Sequence, residues 1–315
     1  MPSNRKNPTR AMSSESRYSL MEFMDEFPDD DACLTYLWRS RYSPDGEHAV
    51  CPRCQVERTF HRYHTAQQRQ SWTCSACGLH VHPTAGTIFH KSSTSLQLWF
   101  FAMHLITSTR GGISAKQLER ELGVTYKTAW RMCNLIRNEL MADDGGPLVG
   151  SVEIDETAWG GRPKASMTRR RTMPQEQTFA KARKVGVLAM VERGERVCTI
   201  VQPREGALAT VSLHVDPKAT VYTDEWAGYK TLSQTHPAHY TISHTDRVYA
   251  SGHVHTQTVE GFFGNVKRGI SGVYHNVSVK WLQGYLNEYT WRYNHRSDAT
   301  PMFLTLLSRA ADDVV

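Results

Sequence analysis

The feature that most constrains this chain is a pair of C-x2-C strings, CPRC at 51–54 and CSAC at 74–77, with 19 residues between them. Two thiolates three residues apart turn back on one ion, and two such pairs close a tetrahedral Zn2+ shell. Any fold for this segment must therefore bring both pairs to one point. Gly78 follows the second pair, where a tight turn needs a positive φ. Cys51, Cys54, Cys74 and Cys77 are read as the ligands of one structural Zn2+, a zinc ribbon with no position left open for catalysis. Cys33, Cys133 and Cys198 lie apart, and the total of seven is odd. With no apolar signal core in the first 20 residues, metal ligation is favoured over a disulfide framework. Four thiolates saturate the metal, so His61, His64, His80 and His82 are read as surface or phosphate-facing residues.

Around the ribbon the pattern is helical. Leu20, Phe23, Met24 and Phe27, then Cys33, Leu34, Leu37 and Trp38, predict two short helices, the second capped by Asp29 to Asp31. A longer helix is expected from Ser92, ended by Gly111 and Gly112. The segment 113–137 has a helix-turn-helix pattern, with Leu118 and Leu122 inward, Gly123 at the turn and Thr125 capping the second helix. Tyr126, Lys127, Thr128 and Arg131 then project where base edges and phosphates of a major groove would lie. Six Lys/Arg against two Glu from Arg110 to Arg137 favour DNA over an ordinary helical hairpin.

The second half alternates. Segments 147–159, 184–193 and 196–203 predict an antiparallel meander, followed by a helix near 206–214 and strands at 219–226 and 239–245. Helical patterns return at 256–268 and 278–308. On this frame Asp155 and Asp224 fall in β-runs and Glu260 in a helix, with Lys267 two turns further on the same face. Strand alternation sends the neighbouring Glu156 and Glu225 to the other side. Phosphodiester strand transfer uses two divalent ions about 4 Å apart, and hard cations select oxygen ligands. Carboxylates at two strand ends and on one helix supply them, giving Asp155, Asp224 and Glu260 as ligands of two catalytic Mg2+ or Mn2+ ions.

Net charge is +6, a modest excess, but Arg162 to Lys184 holds eight Lys/Arg and one Glu. Arg162, Lys164, Arg169, Arg170 and Arg171 there, with Lys267 and Arg268, are candidate contacts to a phosphate backbone. Trp281, Leu282, Tyr285, Leu286 and Tyr289 are read as core; Arg292 and Asn294 are left open, and His253 and His255 as loop residues. No apolar run spans a membrane, and a cytoplasmic protein, nucleoid-associated when acting, is expected.

The strings CPRC and CSACG, VEIDETAWGGR, VYTDEWAGY and HVHTQTVEGFFGNVKRGISGVYHNVSVKWLQGYLNEYTWRYNHR resemble bacterial insertion-sequence transposases of the DDE superfamily, in the group with an N-terminal zinc ribbon. The likeness runs from about 33 to 308. It implies an α/β multidomain chain whose catalytic domain is RNase H-like, a mixed sheet flanked by helices. It also implies Mg2+ dependence and binding to the terminal inverted repeats of a mobile element. By position Asp155, Asp224 and Glu260 become the metal ligands and Lys267 a DNA-contacting catalytic lysine. The expected layout is a disordered leader at 1–17, short helices plus zinc ribbon at 18–90, a helix-turn-helix region at 91–141 and the catalytic domain at 147–308. The partner is double-stranded DNA, both element ends and target, engaged by at least a dimer. Two other readings stand beside this one: a DNA-binding regulator with an inactive RNase H-like domain, and a structure-specific nuclease.

Overall fold

The computed structural model describes residues 17–64, 70–142, 145–160, 185–202, 206–243 and 250–312. The leader up to Ser16 and the basic run with Arg162, Lys164, Arg169, Arg170 and Arg171 lie outside them. Two compact units emerge, one formed by Met1–Leu140 with His295–Val315, the other by Met141–Asn294.

In the first unit, α1 (Leu20–Glu26) starts at a capping box in which Ser19 and Glu22 each accept the other's backbone N–H. Helix α2 (Asp30–Arg41) is capped by Asp29, whose carboxylate accepts the Ala32 N–H. A four-stranded antiparallel sheet follows: β1 (His48–Val50), β2 (Glu57–Tyr63), β3 (Ser71–Cys74) and β4 (His80–Val81), in that order. Leu34 and Trp38 of α2 pack onto this sheet with Phe60 and Trp72, and the Trp38 and Trp72 rings stack at 4.8 Å. Helix α2 is thus part of the ribbon's core.

Helix α3 (Leu96–Ser108) begins at Ser95, which caps Leu98, and ends at Thr109. It is shorter at both ends than the expected span from Ser92 to Gly111: Thr94 N–H is held by Ser92 Oγ in a turn, and Gly112 serves a separate turn. Helices α4 (Ala115–Leu122) and α5 (Tyr126–Leu135) meet at Gly123, whose φ of 64° is left-handed, and Thr125 caps α5 through the Thr128 N–H. The π-helical turn Ile136–Leu140 extends α5.

The second unit is built on a five-stranded mixed sheet. Its strands are β5 (Ser151–Trp159), β6 (Val185–Glu192), β7 (Val197–Gln202), β8 (Thr220–Asp224) and β9 (His239–Ile242), in the order β7-β6-β5-β8-β9. The first three form the expected antiparallel meander, and β8 and β9 run parallel to β5. Helix α6 (Ala207–His214) lies between β7 and β8 in the chain and packs on one face with Val152, Ile154, Tyr229 and Leu232. A two-stranded hairpin, β10 (Ala250–Ser251) and β11 (Val254–His255), leads into α7 (Gln257–Gly269). The other face, with Val187, Ala189 and Val191, is covered by α7 and α8 (Leu282–Asn294).

The helical stretch expected over 278–308 holds two α-helices. Helix α8 ends at Asn294 and α9 begins at Met302, because Pro301 cannot continue a helix but suits its start. Helix α9 (Met302–Ala311) packs in the first unit, where Phe303 meets Phe23, Phe27 and His104 at centroid distances of 5.7, 6.0 and 5.6 Å. Among the described residues no helix is long and apolar enough to cross a membrane.

Candidate metal centres and the acidic site

The four cysteine sulfurs lie within 4.8 Å of one another, the tightest arrangement of such donors among the described residues. Each pair forms the same knuckle. Cys51 N–H bonds to Val56 O at 3.0 Å and Cys74 N–H to Leu79 O at 2.9 Å. Gln55 N–H closes on Cys51 O at 2.8 Å and Gly78 N–H on Cys74 O at 3.0 Å. The residue after each second cysteine is left-handed, Gln55 at φ 56° and Gly78 at 71°. The sequence marks this need at Gly78 and conceals it at Gln55. Burial raises the Cys51 thiol, but N–H groups of Cys54 and Arg53 and the thiols of Cys77 and Cys74 outweigh it, bringing it down to about 6. A site of four sulfurs, one already inclined to be a thiolate, fits a structural Zn2+. His80 turns to Ser71 and Thr73 hydroxyls at 3.0 Å and does not join the sulfurs.

The acidic residues gather on the α7 side of the second sheet. Val152 and Ile154 point into the α6 face, so Glu153 and Asp155 point to the other. Glu153 pairs with Tyr222 across the parallel β5–β8 ladder, and continuing that register by two residues brings Asp155 beside Asp224 at the end of β8. Glu260 stands in the first turn of α7. The three carboxylates do not share the mutual 4.8 Å reach of the sulfurs. They are nonetheless electrostatically close. Burial, then the charges of Glu156, Asp224 and Glu260, push the Asp155 carboxyl up to about 7, against the N–H of Glu156 that lowers it.

Hydrogen bonds hold these carboxylates in place. Glu156 N–H donates to Asp155 Oδ1 at 2.8 Å, and Trp226 N–H to Asp224 Oδ1 at 2.9 Å. Thr256 Oγ1 donates to Glu260 Oε1 at 3.0 Å. Glu156 turns the opposite way, accepting the Tyr229 hydroxyl at 2.6 Å, as strand alternation requires. Glu225 accepts the Ser243 hydroxyl.

Residues 28–80 match the transposase zinc-ribbon domain family, and residues 147–294 match the ISXO2-like transposase domain. Both matched families are domains of IS1595 transposases. A Halobacterium salinarum protein described as an uncharacterized protein in transposable element ISH50 is 28% identical over 254 residues, covering 77% of this chain and 84% of that one. No solved structure matches. The transposase zinc-ribbon match includes α2, in keeping with the packing of Leu34 and Trp38 on the ribbon. The transposase domain match ends at Asn294, where the second unit ends.

The remaining sequence candidates divide. Lys267 and Arg268 are exposed on α7, Lys267 Nζ lying 5.7 Å from the Phe263 ring and Arg268 bonding Asn265 at 2.5 Å. Tyr126, Lys127 and Arg131 are exposed on α5, while Thr128 is half-buried. Arg137, counted in the basic balance, is buried and donates to Ile113 O. Arg292 pairs with buried Glu288 at 2.8 Å, and Asn294 bonds both backbone groups of Val197. Two residues escaped sequence reasoning, Glu153 and Arg193. The one available signal was the position of Glu153, two residues before Asp155 on the same strand face.

Proposed function

We propose that the chain is a DNA transposase that binds the terminal inverted repeats of an insertion sequence and catalyses metal-dependent strand cleavage and strand transfer. The observation that carries the reading is the meeting of Asp155, Asp224 and Glu260 on one face, with Asp155 pushed up to about 7 by burial and those neighbours. Three carboxylates in that relation repel one another, and divalent cations relieve the repulsion. Their oxygens are the hard donors that Mg2+ or Mn2+ selects, and phosphodiester chemistry of this kind uses two such ions. Asp155, Asp224 and Glu260 would hold such ions, which when bound would supply activation of an attacking oxygen and charge relief for the leaving oxygen. The protein's own part is to hold the three carboxylates on rigid elements. Lys267, exposed two turns along α7, is available to the phosphate backbone. Water and then a DNA 3′-hydroxyl serve as nucleophiles, so no covalent protein–DNA link is needed.

The strand order β7-β6-β5-β8-β9, with three antiparallel strands and then two parallel to the first, supports an RNase H-like frame. Helices α4 and α5, joined at left-handed Gly123 and exposing Tyr126, Lys127 and Arg131, support a helix-turn-helix that reads element ends. The zinc ribbon and the basic run from Arg162 add backbone affinity. Synapsis of two ends calls for at least a dimer on DNA.

The test is a strand-transfer assay on linear DNA carrying the element's ends, with Mg2+. Joined products are expected from the native chain. Asp155→Ala and Asp224→Ala should each lose about a thousandfold or more of joining, since a bound ion contributes several kcal/mol to the transition state, while still binding the ends. Cutting without joining would make the chain a nuclease instead. Full activity in both variants would leave a DNA-binding regulator.

A further inference from the structure

We infer that Glu153 and Arg193 are positioning residues, a clamp that sets the Glu260 helix against the strand carrying Asp155. Glu153 is fully buried, on the same face of β5 as Asp155. Its Oε2 accepts the N–H groups of Thr258 at 2.7 Å and Val259 at 3.0 Å. Its Oε1 accepts the Thr258 hydroxyl at 2.9 Å and Arg193 Nε at 2.7 Å, while His255 Nδ1 lies 3.1 Å away without hydrogen-bond geometry. Helix α7 has no side-chain cap of its own, and Thr256, at the capping position, spends its hydroxyl on Glu260. The cap comes instead from a strand, through a carboxylate whose charge the helix dipole favours.

Arg193 completes the clamp. Its Nη1 donates to His253 O at 2.8 Å and its Nη2 to His255 O at 2.9 Å, and the guanidinium lies 4.1 Å from the Tyr222 ring. Its backbone N–H bonds Ser151 O at 2.9 Å. One side chain therefore ties the β10–β11 hairpin, the start of α7 and Glu153 together. The carbonyls of His253 and His255, rather than their rings, are what this arrangement uses. Val259, held by Glu153, is the residue next to Glu260. A slide of α7 along β5 would break three hydrogen bonds to a buried carboxylate, which costs far more than the same slide on an apolar surface. The Glu260-to-Asp155 separation is thereby fixed before any cation arrives. Outer partners of this kind typically govern metal affinity by ten- to a hundredfold.

This inference rests on the reading of Asp155 and Glu260 as ligands, and the experiment separates the two. Glu153→Gln keeps the volume but sets an amide NH2 against either the Thr258 and Val259 N–H groups or Arg193. Mn2+ affinity would be measured on the full-length protein by electron paramagnetic resonance of the free ion, together with amide hydrogen exchange of Thr258 and Val259. Glu153→Gln should weaken Mn2+ about tenfold or more in the native background. In a Glu260→Gln background it should add little, because it acts through Glu260. Exchange at both amides should quicken in either background. Equal weakening of Mn2+ in both backgrounds, or unchanged affinity with quickened exchange, overturns the inference. If Glu260→Gln and Asp155→Asn themselves leave Mn2+ binding intact, the ligand assignment fails and the clamp's role in metal binding falls with it, while the exchange data still report whether Glu153 caps α7. Should Glu153→Gln not fold, Arg193→Lys gives the same comparison. It keeps the charge but cannot reach Glu153 and both carbonyls, and the same two outcomes decide.

Discussion

At the scale of single residues, Asp155 makes a prediction whose sign differs from that of most carboxylates. Its folded form holds the proton more tightly than the unfolded chain, whose aspartates titrate near 3.9. The stability this confers is complete below about pH 4, is lost as pH rises toward about 7, and is gone above that. In metal-free protein at pH 8, Asp155→Asn should therefore raise the melting temperature, and under the proposed function it should also abolish strand transfer. At pH 4 the two proteins should melt nearly together. Added Mg2+ should lift the native protein at pH 8 and leave the variant almost unmoved. A native advantage at pH 8 without metal would contradict the electrostatic account. The placement of Asp155 and Asp224 on strands and of Glu260 on a helix was readable from the sequence, because strand alternation and helical spacing are local. Glu153 was not, since its partners Arg193 and Thr258 stand 40 and 105 positions away, and an isolated Glu in a strand looks like a solvent-facing residue.

At the scale of elements, local pattern and tertiary packing trade influence. The strands of the second sheet fall close to where alternation puts them. Helix ends do not, because polar residues beside them offer several possible caps: Ser95 rather than Ser92 starts α3, and Pro301 precedes α9. The ribbon makes a sharp prediction. Its core joins Trp38 of α2 to Trp72 of β3, so a chelator that strips the cysteine site should disturb both indoles. Tryptophan fluorescence should shift, the effect should reverse with Zn2+, and Cys54→Ser should reproduce it. An unchanged spectrum would mean the ribbon holds without metal. Helix α8 meets a different need. Strand β7 is a sheet edge, yet Gln283 bonds Val201 N–H and Thr199 O at 2.9 Å each, and Asn294 bonds Val197 N–H at 2.7 Å and its O at 3.0 Å. Covered edges resist pairing with other chains. Gln283→Ala with Asn294→Ala should increase self-association on light scattering, and a monodisperse double variant would refute that role. The close approach of α7 and α8 is as tight at Gly269, where an added Cβ would meet the Tyr289 hydroxyl at 2.1 Å. Gly269→Ala should cost about 1–3 kcal/mol in denaturant unfolding, the range for overpacking.

At the scale of the whole molecule, the first unit is discontinuous: Met1–Leu140 is completed by His295–Val315, and the second unit is inserted between them in the chain. The closing contact is apolar, Phe303 among Phe23, Phe27, His104 and Tyr18. Phe303→Ala should destabilise the first unit by about 3–5 kcal/mol. Differential scanning calorimetry should then show the transition of that unit moving down while that of residues 141–294 stays in place. A joint shift of both would mean that the two units unfold as one. The apolar pattern of α9 is visible in the sequence, but its destination is not, because nothing local distinguishes a helix that continues one unit from a helix that returns to another. This return has a consequence for timing on the ribosome. Helices α1 and α3 are translated early, yet the ring that covers them is some 200 codons further on, of the order of ten to forty seconds at ordinary elongation rates. Until then their aromatic face waits for its cover. A message broken in its second half therefore yields no durable first half, but a short-lived fragment exposed to proteases.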